Sequence, residues 1–182
     1  LDAITTGDQN IAIGYNAGGA ITTTSGNIAI GIEAGASMTS SGGLNILIGG
    51  DAGKSLTSGS ENIAIGSGAL DASTVGDNNI AIGLNTLGSL DTGGGADGDS
   101  NIAIGVNAGR SATVMEGAVL IGNEAGTSIT TGNHNVFIGA SAGEATTTGH
   151  SNTALGRFAL YTNIDGDGSV AIGFEALQDL EP

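Results

Sequence analysis

Asn27-Ile28-Ala29-Ile30-Gly31 is the stretch on which the fold turns, because it returns along the whole chain. Its glycine recurs at Gly14, Gly31, Gly49, Gly66, Gly83, Gly105, Gly122, Gly139, Gly156 and Gly173, at successive spacings of 17, 18, 17, 17, 22, 17, 17, 17 and 17. A short fixed period sustained this far marks a stacked repeat, in which each unit buries its apolar face only against its neighbours. Ten tandem units therefore occupy residues 1–182 as a single domain, with one extra residue near positions 41–44 and a five-residue insertion within 91–100.

Within a unit, Ile-Ala-Ile is too short and too β-branched for a helix and is halted by glycine, so it reads as a strand. A weaker second segment follows, with an apolar residue seven positions after the glycine (Ile21, Met38, Leu56, Leu90, Ile129, Leu180), usually followed by Thr. Stacked strands repeat every 4.8 Å or so, which predicts an all-β parallel β-solenoid, or β-roll, of ten coils about 45 Å long. Strand alternation places both Ile of each unit on one side and the residue between them on the other. We assign the Ile pairs to the interior. That leaves Ala12, Ala29, Leu47, Ala64, Ala81, Ala103, Leu120, Phe137, Ala154 and Ala171 as an outward apolar stripe, suited to close packing of identical chains as a symmetric oligomer.

Composition narrows the partners. Three Lys and Arg against eighteen Asp and Glu give a formal charge of -15, which repels nucleic acid and anionic membrane. No run approaches the 18 or so apolar residues of a membrane span. Leu1-Asp2-Ala3 lacks both an initiator Met and a basic leader region, as expected of a mature product or a fragment. The absence of Cys excludes disulfides and thiolate metal sites.

The repeated Asn-Ile-Ala-Ile-Gly followed by a small-residue turn resembles the head repeats of trimeric autotransporter adhesins (YadA-like heads), whose motif is Asn-Ser-Val-Ala-Ile-Gly. Variants such as Asn152-Thr153-Ala154-Leu155-Gly156-Arg157-Phe158-Ala159-Leu160 are also similar to repeats of bacteriophage tail fibres. The resemblance covers all ten units. It implies a left-handed parallel β-roll, three chains packed about a threefold axis, and a non-enzymatic adhesive role towards extracellular matrix or a cell-surface receptor. The repeat here is longer than in the adhesin heads, and the chain shows no heptad stalk, neck or membrane anchor, a pattern suited to a segment of a longer extracellular fibre on a cell or virion. Two other roles are compatible with the residues: a monomeric solenoid binding ice or glycan, and a filament subunit polymerising through its strand edges.

Several motifs invite chemistry. Gly49-Gly50-Asp51-Ala52-Gly53-Lys54-Ser55 ends like a phosphate loop, but Ile48 stands where the first glycine belongs, so it reads as an ordinary corner. Asn precedes the strand in eight units, which predicts an amide ladder along the rod. Thr22, Thr39, Thr57, Thr74, Thr113, Thr130 and Thr147 form a single row without the second row that an ice-binding array would need. His134 and His150 have no partner ligands in the pattern. No catalytic residues are assigned. Asp97-Gly98-Asp99 and Asp165-Gly166-Asp167 alternate carboxylates with glycine, the spacing that hard calcium coordination uses, so Asp97, Asp99, Asp165 and Asp167 are the candidate calcium ligands.

Overall fold

The computed structural model describes residues 5–39, 42–90 and 98–179. Its elements are ten three-residue strands: β1 (Ile11–Ile13), β2 (Ile28–Ile30), β3 (Ile46–Ile48), β4 (Ile63–Ile65), β5 (Ile80–Ile82), β6 (Ile102–Ile104), β7 (Val119–Ile121), β8 (Val136–Ile138), β9 (Thr153–Leu155) and β10 (Val170–Ile172). They form one parallel sheet in chain order, with no helix among the described residues. The chain is thus a parallel β-solenoid in which each repeat is one coil. The length irregularities do not disturb the stack, since β2 meets β3 and β5 meets β6 in unchanged register.

Positions are numbered below from the glycine of each coil as 0, so the strand occupies −3 to −1. The glycine itself is required by both backbone and neighbour. It sits at φ of 125–142° in all ten coils, a region closed to side chains. In the first nine coils an added Cβ would also lie 2.3–2.5 Å from the carbonyl oxygen of the next coil's glycine. The stacking distance and the glycine column therefore enforce each other.

The strand faces are the reverse of the assignment made from the sequence. Position −2 points inward: Ala29, Leu47, Ala64, Ala81, Ala103, Leu120, Phe137 and Ala154 are fully buried. The Ile at −3 and −1 point outward, with Ile65 and Ile104 36% exposed in mid-rod, although their paired neighbours cover part of each. Two physical constraints decide this. The Asn at −4 shares a face with −2, and its amide finds backbone carbonyls only inside the coil. A seventeen-residue coil also encloses too little width for two Ile in every layer.

What the interior does hold follows a volume rule. It is lined by −2, by +3 (Ala17, Ala34, Ala52), by +4 and by +7 (Ile21, Met38, Leu56), all buried. Where −2 is large, +4 is glycine: a Cβ on Gly53 would stand 2.8 Å from Leu47, and one on Gly143 2.4 Å from Phe137. Where −2 is Ala, coils 4, 5 and 9 fill the space with buried Leu70, Leu87 and Leu160 at +4, whereas coils 2 and 6 keep Gly35 and Gly109 there and are filled from the next coil, a Cβ on these glycines standing 2.8 Å from Leu47 and 2.7 Å from Leu120. The three leucines at +4 accept left-handed φ of 49–56°, an unfavourable conformation outweighed by burial worth about 1.5–3 kcal/mol each.

The Asn ladder is present. Asn27, Asn45, Asn62, Asn79, Asn101, Asn135 and Asn152 are buried. Each Oδ1 accepts the backbone N–H of the residue stacked on it, as from Asn45 to Asn27 and from Asn62 to Asn45, both at 3.0 Å. The Nδ2 groups donate to carbonyls across the coil, Asn45 to Gly59 at 2.9 Å and Asn62 to Gly76 at 2.7 Å. Ala118 interrupts the column, although its own N–H still donates to Asn101.

Candidate functional site

The outward sheet face carries the same residue types from the first coil to the last. Position −3 carries Ile, Val or, once, Thr153, and position −1 carries Ile throughout except Leu155. Position +1 extends it with exposed Tyr15, Ile32, Leu84, Val106 and Phe174. No acidic residue occupies any of these three columns, although the chain contains eighteen, and the one charged side chain is Arg157. The alternation that buries −2 and the Asn ladder presents these columns as a flat apolar strip.

The acidic residues among those described lie at the corners. At −6 they build a second ladder that sequence reasoning missed. Here a side-chain acceptor of one coil takes the backbone N–H of the coil before it: Asp77 from Ser60 at 2.6 Å, Asp99 from Asp77 at 2.8 Å, Asn133 from Glu116 at 3.0 Å, and Asp167 from His150 at 2.6 Å. Ser25 and the Nδ1 of His150 serve the same purpose for Asp8 and Asn133. The signal was legible as a column of short acceptors six residues before the glycine, obscured because its members differ chemically.

Two of the four candidate calcium ligands thus have a place in the stack. Asp99 and Asp167 sit four coils apart, about 19 Å at the usual strand spacing, and each carboxylate already accepts a backbone N–H. Asp165 is exposed, two residues before Asp167. Asp97 lies outside the described residues. The described residues bring no three His, Cys, Asp or Glu side chains together as a metal cage.

The other motifs resolve into stacking. Lys54 is held by Glu33 and Asp51. Those two acceptors raise its pKa above the ordinary 10.5 and occupy the cation that a phosphate loop would need free. Asp71, in the next coil, is pushed above the ordinary carboxylate value by partial burial first and by the Asp51 charge second. The Thr hydroxyls donate along the rod, Thr57 to Thr74 O at 2.9 Å and Thr130 to Thr147 O at 3.0 Å. His134 is exposed at its corner. No helix of the described residues is long and apolar enough to cross a membrane.

Arg157, Phe158, Tyr161 and Phe174 cluster at one corner of the last coils, with the Arg157 guanidinium 4.4 Å from the Phe158 ring centre. A polar cleft of about 210 Å³ lined by Gly68, Asp71, Asn85, Gly88, Ser89 and Arg110 lies at the same corner further down the rod. Compared with known protein families, curated proteins and solved structures, the chain finds no match.

Proposed function

We propose that this solenoid is a non-enzymatic rod of an extracellular fibre or adhesin, on a cell surface or a virion, and that it assembles as a homotrimer through its outward strand face. The observation that supports this reading is the separation of charge from the strip. A chain of net charge -15 brings copies together with least repulsion across a surface free of acidic residues, and the three strand-face columns form one that runs the length of the rod. The adhesin resemblance supplies the threefold arrangement. The face involved is the Ile-rich one, not the Ala stripe that the sequence reading assigned to it. In this role the rigid backbone spaces the fibre and the corners meet a cell-surface receptor or glycan.

Two substitutions one residue apart test the assembly. Ile82→Asp places a carboxylate on the strip and should leave circular dichroism unchanged while sedimentation shows single chains, since a buried unpaired charge costs several kcal/mol. Ala81→Asp places the same charge in the core and should unfold the protein. A parent that sediments as one chain, or an Ile82→Asp variant of parental mass, would overturn the trimer.

A further inference from the structure

The aromatic corner and the polar cleft each carry one basic and one acidic neighbour, Arg157 and Glu144 at the first, Arg110 and Asp71 at the second. Of the five Phe and Tyr residues, Phe137 is core and Tyr15 lies in the first coil, while Phe158, Tyr161 and Phe174 gather at one place. Phe158 packs edge-on to Tyr161 at 5.4 Å between ring centres and lies 6.5 Å from Phe174. The fold does not ask for Phe158. It stands at +2, where other coils place Asn16, Glu33, Asp51 or Asn85, and its φ of 58° is one a bulky side chain adopts at a cost. Its ring contributes to a surface knob and not to the interior.

The cleft occupies the corresponding corner lower in the stack. Coil 4 has Gly68 at +2 where coil 9 has Phe158, and coil 5 has Gly88 at +5 where coil 9 has Tyr161. The missing side chains leave a hollow with room for one aromatic ring, flanked by Asp71 and Arg110. The knob is flanked by opposite signs: Arg157 against Phe158, and Glu144, whose carboxylate accepts the Tyr161 hydroxyl at 3.5 Å.

We propose that two copies pair antiparallel along this corner, each seating its Phe158 ring in the other's hollow while Tyr161 packs at the rim, with Arg157 meeting Asp71 and Glu144 meeting Arg110. Knob and hollow are four to five coils apart, so a twofold axis across the rod near coil 7 engages both at once. A parallel in-register pair sets knob against knob, and a parallel staggered pair leaves one knob and one hollow open. The antiparallel pair is the closed solution. It borders the apolar strip, with which it shares Arg157 and Phe174 at +1, and the thiol test below reads this pairing whether or not the trimer forms.

The chain has no cysteine, so engineered thiols report contacts without background. Ser89→Cys beside the hollow and Thr162→Cys beside the knob, prepared separately, mixed and mildly oxidised, should give the mixed disulfide about tenfold over either self-disulfide. In the antiparallel pair the self-pairs sit four coils apart, about 19 Å, beyond the 7 Å or so that a disulfide spans. Adding Phe158→Asn to the Thr162→Cys chain should abolish the mixed product without lowering Tm, because Asn suits the left-handed position. Mixed and self-disulfides in equal yield, or a mixed disulfide indifferent to Phe158→Asn, would overturn the pairing.

Discussion

At the residue scale, the interior is thin enough that single polar atoms matter. Ser73 and Thr146 occupy +7, the position of Ile21, Met38, Leu56, Leu90 and Ile129 in other coils, and their hydroxyls are buried with no hydrogen-bond partner. Thr146→Val keeps the shape and removes the unsatisfied group, so it should stabilise by about 1 kcal/mol, seen as a rise in Tm of about 2–4 °C for a chain of this length. Asp71 gives a pH-dependent case. Its folded pKa lies above the ordinary 3.8, so the native state holds the proton more tightly than the unfolded chain, and stability falls as pH rises through that window. Asp71→Asn should therefore raise Tm by about a degree at pH 7, the scale of a surface substitution. The difference should vanish below pH 3.8, and melting curves at both pH values check it. The Lys54 pairs have the opposite reach: their contribution is present at neutral pH and is lost as pH climbs above 10.5.

At the scale of one coil, the volume rule makes −2 and +4 a coupled pair. Ala64→Leu alone overpacks against Leu70 and should cost about 1–3 kcal/mol, while Leu70→Gly alone opens a cavity and should cost about 2–5 kcal/mol. Together they recreate the Leu47 and Gly53 arrangement of the preceding coil, so the double variant should unfold within about 1 kcal/mol of the parent and yield a favourable coupling energy in denaturant titrations. The ladder break offers a gain: Ala118→Asn supplies the acceptor that the Asn135 N–H meets in other coils and should add about 1 kcal/mol. Both results would show that a coil is specified by its cross-section, not by any single residue.

At the scale of the whole molecule, like charges stack. Asp77 and Asp99 are one coil apart and joined through a backbone N–H, within a chain that has three basic residues to balance eighteen acidic ones. Added monovalent salt should raise Tm by screening this repulsion. Calcium is separated from screening by replacing Asp97, Asp99, Asp165 and Asp167 with Asn. Asn133 already shows that an amide oxygen serves the −6 ladder, so this variant keeps its stacking. A rise in Tm with calcium beyond that of sodium at equal ionic strength, lost in the variant, assigns the ion to these corners. An equal response in both proteins assigns it to the surface as a whole.

Residue types and their spacing alone determined the coil count, the parallel in-register sheet, the Asn ladder and the Thr row. A period of seventeen with one glycine per turn admits no other economical stack. Which strand face is interior was decided only by tertiary structure. Ile-Ala-Ile is apolar on both sides, so alternation separates two faces without saying which is inside, and burying the larger residues is the natural but incorrect choice. The deciding quantities are the width of a closed coil, which admits Ala64 with Leu70 or Leu47 with Gly53, and the need of the buried Asn62 amide for carbonyls that exist only within it. The knob and the hollow were hidden for the same kind of reason. Phe158 and Gly68 are ninety residues apart in sequence and become matched features only when the solenoid sets them on one corner.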